Sequence, residues 1–206
     1  MECTQELVFI IMISLLSLVT AKISVRLIAR WRYDGVRKLL LKTVYLEVIV
    51  MIGAIEAGGT KMICAVSDAD LNIQARTRID TDDPKITIRE ILDFFGQYEL
   101  NGLGVGAFGP IGVNPKRKDY GFIGQTPKEG WSGFDLLGAL KSELTCPIYL
   151  TTDVNVAAYG ELKRGAARGL QNAVYLTVGT GIGGGVIHDG EIYVGDTHPE
   201  LGHMYD

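Results

Sequence analysis

The chain has 206 residues, 47% hydrophobic and 21% charged, which suits a folding chain of one large domain or one domain and part of another and excludes a disordered one. Its net charge of −4 is uneven. Residues 1–50 carry seven Lys/Arg against four Asp/Glu, and the remainder is acidic, which argues against a nucleic-acid-binding surface as its main business. Cys3, Cys64 and Cys146 lie far apart with no CxxC, which reads as small buried thiols in a reducing compartment.

In chain order, an apolar run covers residues 7–21, about fifteen residues and short of the roughly 20 that span a bilayer. A basic, partly amphipathic stretch follows, with Lys22, Arg26, Arg30, Arg32, Arg37, Lys38 and Lys42, and then an apolar segment over 44–52. Glu2 and Glu6 stand where a secretory signal would carry positive charge. Three readings compete: a short membrane anchor over 7–21, an amphipathic interfacial segment, or an extension ahead of a start at Met51. The last is favoured, because the patterned body begins at Met51. Localisation is then cytoplasmic, with membrane attachment only through 7–21.

From Ile52 the pattern changes. Strands are expected over 52–56, 61–67 and 71–79, an antiparallel meander whose first turn is Ala57-Gly58-Gly59-Thr60. Apolar residues at Ile88, Ile91, Leu92 and Phe95 are spaced for a helix over 84–98, with Pro84 in its first turn. A strand over 102–108 ends at Gly109-Pro110. Residues 111–133 read as a long loop, and such loops are often functional. A helix over 134–144, a strand over 148–151 and a helix over 154–168 opened by Asp153 follow. A strand over 173–178, a glycine run from Gly179 to Gly185 and a hairpin over 186–188 and 191–194 close the chain. Meander, alternating helix and strand, and a second meander make an α/β pattern with two related halves.

Four motifs carry chemistry. In Glu56-Ala57-Gly58-Gly59-Thr60-Lys61, two glycines let backbone amides approach an anion; Thr60 adds a hydroxyl and Lys61 a charge suited to phosphate. Glu56 could hold Mg²⁺ through water. The alternative is an ordinary Gly-Gly hairpin. Gly179-Thr180-Gly181-Ile182-Gly183-Gly184 nearly matches GxGxxG, but a strand-like Val186-Ile187 follows it, so the dinucleotide reading is rejected in favour of a second phosphate turn. In Thr152-Asp153-Val154-Asn155, a carboxylate at a strand's C-terminal end can accept a hydroxyl proton, or can simply cap the helix. In His198-Pro199-Glu200-Leu201-Gly202-His203, a carboxylate and two imidazoles can bind sugar hydroxyls or a metal, or form an exposed polar loop.

These motifs, in this order and with Phe108-Gly109-Pro110-Ile111 and the run 121–131, resemble the ROK family of sugar kinases and sugar-responsive repressors, and within it the bacterial fructokinases. The resemblance covers essentially residues 51–206. It implies the actin-like ATPase (ribonuclease H-like) fold, with a first domain over 51–170 and the start of a second over 171–206. It implies that Gly58, Gly59, Thr60, Lys61, Gly179, Thr180 and Gly181 face the phosphates of ATP, with Glu56 associated with Mg²⁺. Asp153 matches the family's catalytic base. Gly109, Pro110, Asn155, Glu200 and His203 match sugar-contacting positions, and His203 also a Zn²⁺ ligand whose partners would lie downstream. Glu56 stands where many members have Asp. The family's second domain continues beyond Asp206, so the resemblance implies a C-terminally truncated member, homodimeric when complete. The function implied is ATP-dependent phosphorylation of a hexose, D-fructose to fructose 6-phosphate. The alternatives are a kinase for glucose, mannose or N-acetylmannosamine, or a sugar-sensing regulator that does not catalyse. The partners implied are a small sugar and no nucleic acid.

Overall fold

The computed structural model describes residues 50–178, 181–196 and 198, together with the backbone of 24–33 and 36–45. The apolar segments of the body become strands β3 (Ile52–Ala57), β4 (Lys61–Ser67), β5 (Ile73–Asp80), β6 (Gly102–Ala107) and β7 (Ile148–Thr152). They form one sheet in the order β5-β4-β3-β6-β7. β3, β4 and β5 are antiparallel neighbours, while β3, β6 and β7 run parallel. The central strands are apolar on both faces because both faces are covered. Ile55, Val105 and Leu103 face helices α1 (Pro84–Phe95) and α2 (Leu136–Lys141). Ile52, Ala54, Ile63 and Ala65 pack with Val156 of α3 (Asp153–Arg164) on the other face.

The expected helix over 84–98 stops at Phe95. Asp83 caps its start by accepting from the Lys85 amide at 2.9 Å, and Gly96 caps its end. The expected helix over 134–144 shrinks to the six residues of α2, because the Asp135 carboxylate takes the Gly138 amide at 2.7 Å and sets a later start. The expected third strand starts at Ile73 instead of 71. Leu71 has φ of 70° in a turn whose amides at Asp70 and Asn72 donate to Asp68 Oδ1.

Glycines 102, 104 and 106 share the α3 face of β6. A Cβ on Gly106 would stand 2.8 Å from Val156 Cγ2, so the glycine lets the start of α3 close onto the sheet. α3 also covers a second sheet, ordered β10-β9-β8, formed by β8 (Ala173–Val178), β9 (Ile182–His188) and β10 (Glu191–Ile192). Ala158, Tyr159 and Leu162 of α3 pack there on Ile187. The glycine run is therefore not one long turn. Gly183, Gly184 and Gly185 are strand residues of β9, and a Cβ on Gly185 would meet Ala158 Cβ at 2.8 Å. On the sheet's other face Val174, Leu176 and Val178 are exposed.

Residues 24–33 and 36–45, read as a basic and partly amphipathic stretch, form an antiparallel pair, β1 (Ser24–Tyr33) and β2 (Val36–Tyr45), with Arg32 opposite Arg37. In β1, Arg26, Arg30 and Arg32 fall on one parity and Val25, Leu27 and Trp31 on the other, which suits strand spacing. The apolar run 7–21 lies outside the described residues. Among the described residues no helix is long and apolar enough to cross a membrane.

Candidate active site

The first glycine turn joins β3 to β4. The Gly58 amide donates to the Lys61 carbonyl at 3.0 Å. A Cβ on Gly58 would stand 2.7 Å from that carbonyl oxygen, so this position requires glycine for close approach. Gly59 and Thr60 are exposed, and a Cβ on Gly59 would meet nothing within 4 Å. The outer rim of the turn, not the Gly58 amide, is thus the part open to an anion.

Behind the turn the parallel register aligns Glu56 on β3 with Gly106 on β6 and Thr151 on β7. Side-chain alternation puts all three on the α3 face. Asp153 follows two residues after Thr151, as the first residue of α3. It is not the helix cap: Thr152 is, its hydroxyl accepting the Asn155 amide at 3.1 Å. The Asp153 carboxylate accepts the neighbouring Val154 amide at 2.8 Å. Burial pushes its pKa above the ordinary 3.8, while that backbone bond pulls the other way. Glu56 is pushed up too, first by burial and further by the negative charge of Asp153, against the pull of Lys61 and Arg76. Its Oε2 is buried with no hydrogen-bond partner, as is Asn155 Oδ1. Two carboxylates share a half-buried site, and one has an orphaned oxygen. That donor set suits a hard divalent cation, which would relieve both burdens at once. Asn155 is itself buried and donates through Nδ2 to Thr151 Oγ1 at 3.0 Å, beneath the first turn of α3.

Glu56→Gln tests this electrostatic burden. A carboxyl whose pKa is raised by folding favours the folded state when protonated, so stability declines as pH rises from the ordinary 4.5 through the folded value. The Gln variant is expected to melt higher than wild type at pH 7, with the difference closing below about pH 4.5. Thermal melts across pH check this.

Gly109 and Pro110 follow β6 and are joined by a cis peptide bond. The region 111–133, expected as a long loop, is tied down along its length. Ile111 bridges Ile123, Phe122 bridges Asp135, and the Gly124 amide donates to the Pro110 carbonyl at 2.7 Å. Trp131 is fully buried between Phe108 and Phe134 and donates its indole N–H to the Asp82 carbonyl at 2.8 Å. The segment after β10 folds back onto this region. Arg117 pairs with Asp196 at 3.0 Å, and the Ile111 amide lies 3.5 Å from His198 Nδ1. A Cβ on Gly109 would collide with the His198 ring. Pro110, Ile111, Gly112, Asp119, Phe122 and His198 line a cleft of about 310 Å³.

The fold thus brings together the turn Gly58–Lys61, Glu56, Asp153 and Asn155, and separately joins Gly109 and Pro110 to His198. The sequence reading placed His198 in its motif but gave the contacts to Glu200 and His203. The collision with Gly109 involves residues 89 positions apart and left no local signal. Gly181 is exposed at the start of β9. Gly179, Thr180, Glu200 and His203 lie outside the described residues, and with them the expected zinc ligand. Among the described residues no three His, Cys, Asp or Glu side chains converge as a metal cluster.

A family model described as the ROK family matches residues 52–206. This chain belongs to the ROK family. Its ROK segment is 49% identical over 155 residues to a fructokinase of Pediococcus pentosaceus, covering 75% of this chain and 54% of that protein. The chain spans about half the length of the curated relatives it matches. Among solved structures it is similar to a ROK hexokinase from Thermus thermophilus, with TM-score 0.61 and 27% identity over 75% of this chain and 53% of the other. It also shares the fold of a ROK glucokinase from Streptomyces griseus in complex with glucose and AMPPNP, with TM-score 0.60 and 24% identity over 74% of this chain and 48% of that one. The ROK assignment agrees with the mixed sheet, whose parallel strands β3, β6 and β7 are joined through α1 and α2 as in an actin-like ATPase architecture.

Proposed function

We propose that the chain carries the sugar- and phosphate-facing half of an ATP-dependent hexose kinase, with D-fructose as substrate and fructose 6-phosphate and ADP as products. The observation that carries this reading is the half-buried Asp153 carboxylate, freed from capping by Thr152 and standing on the same sheet face as Glu56, which lies just ahead of the glycine turn. The likeness to a fructokinase directs the choice of sugar. The division at 170/171 falls in the turn between α3 and β8, and we take it as the boundary between the two domains.

In this reading the rim of the Gly58–Lys61 turn binds the phosphates through Gly59 and Thr60 and through the Lys61 charge, and Gly179, Thr180 and Gly181 meet them from the second sheet. Gly109, Pro110, Glu200 and His203 hold the sugar, while Asn155 shapes the floor of the site through Thr151. Asp153 accepts the proton of the sugar's terminal hydroxyl as its oxygen bonds to the γ-phosphorus and the bond to ADP breaks in line. Mg²⁺ fits beside Glu56 and Asp153, where it would neutralise charge on the phosphate oxygens. Burial of Asp153 raises its basicity above that of a solvated carboxylate, which favours proton acceptance.

An ADP-release assay over fructose, glucose, mannose and N-acetylmannosamine tests the sugar. Fructose is expected to give the highest kcat/KM. A higher value for any of the other three would reassign the substrate. Sugar-dependent ADP release absent with all four would overturn the kinase reading for this chain.

A further inference from the structure

We infer that Thr81 is a positioning residue for the phosphate donor: it holds the Gly58–Thr60 turn in the shape that receives phosphate. The inference rests on the reading of that turn as the phosphate site and adds a residue to it that makes no contact with the ligand.

Thr81 follows β5 and is 1% exposed. Its amide donates to the Thr60 carbonyl at 3.1 Å, and its hydroxyl donates to the Gly58 carbonyl at 2.8 Å. Two carbonyls of a three-residue stretch are thereby turned back toward β5. A third bond, from the Gly58 amide to the Lys61 carbonyl, occupies another acceptor of the same turn. A carbonyl oxygen facing an incoming phosphate would repel it, so a turn that binds anions must keep its acceptors engaged elsewhere. Thr81 does this for both ends of the exposed rim formed by Gly59 and Thr60.

Thr81 is itself anchored. The next residue, Asp82, donates its amide to Thr87 Oγ1 at 3.0 Å and receives the Trp131 indole N–H on its carbonyl at 2.8 Å. Thr87 Oγ1 also donates to the Asp80 carbonyl at 3.3 Å. The segment 80–82 is therefore braced by α1 on one side and by the region beyond Gly109 on the other. What the turn needs from position 81 is a hydroxyl donor and not merely a side chain of that volume. Valine matches the volume and lacks the donor; serine keeps the donor.

The test titrates the ¹⁵N-labelled 206-residue chain with magnesium tripolyphosphate and, separately, with fructose, reading backbone amide shifts. Wild type is expected to show saturable shifts at Gly59 and Thr60. Thr81→Val should weaken tripolyphosphate binding roughly tenfold, the worth of one engaged hydrogen bond, with fructose affinity unchanged. Thr81→Ser should bind both as wild type does. Thr81→Ala replaces the valine variant should that one fail to fold. Wild-type affinity in the valine or alanine variant would overturn the role of Thr81 and leave the phosphate site standing. An equal loss in the serine variant, or a parallel loss of fructose affinity, would reduce Thr81 to a general structural residue. Absence of any shift at Gly59 and Thr60 in wild type would remove the phosphate site, and the role of Thr81 with it.

Discussion

Asp153→Asn is expected to lower fructose-dependent turnover by about 100-fold or more while raising the melting temperature at pH 7. The loss follows from removing the carboxylate that this reading assigns to take the hydroxyl proton; general-base contributions are typically 10²–10⁴-fold. The gain follows from burial. The carboxylate is held above its ordinary pKa of 3.8, so its charged form costs folding free energy at neutral pH, and a neutral amide of the same shape does not incur that cost. Because Thr152 is the cap, the substitution leaves the start of α3 intact. A residue serving only to cap would show the opposite pattern, lower stability with turnover preserved. In wild type, activity should fall toward acid along a limb that lies above 3.8. Steady-state assays and thermal melts on the same preparations read both effects.

Trp131→Ala carries the largest expected cost to stability, about 3–5 kcal/mol, the usual range for truncating a large buried aromatic. Trp131 is fully buried and meets Phe108 and Phe134 edge to face, with ring centroids 5.8 and 5.3 Å away. Its indole N–H is the bond that joins the region beyond Gly109 to the segment behind the glycine turn. Trp131→Phe keeps most of the packing and should cost less, since the Asp82 carbonyl it releases can reach water at an exposed residue. Urea denaturation read through the midpoint, with the m-value checked for two-state behaviour, separates the two variants.

Much of this fold was legible because its signals are local. The strand–turn–strand opening of β3 and β4, the i, i+3, i+4 spacing of Ile88, Ile91 and Leu92, and the alternation of strand and helix after Gly102 each act over a few residues. Asp153 and the glycine turn were legible for the same reason. Most of what escaped depends on partners distant in sequence; the cap of α3 is a local exception. Thr152 outcompetes Asp153 as cap because its hydroxyl reaches the Asn155 amide, a choice made by backbone geometry and not by residue preference. Gly183, Gly184 and Gly185 look like turn residues by composition and are strand residues because α3 presses against β9, leaving little room for side chains there. The roles of Thr81, Trp131 and His198 arise across separations of 23, 49 and 87 residues. No window along the chain contains both partners.

The central claim is that Asp153 and the glycine turn belong to a fructose-phosphorylating site. Phosphorus NMR of the chain incubated with ATP, Mg²⁺ and fructose tests it most directly. A growing fructose 6-phosphate resonance matched by ADP is expected, and it should disappear in Asp153→Asn. Equal sugar phosphate from the wild type and the Asn variant, or release of inorganic phosphate with no sugar phosphate, would contradict that claim.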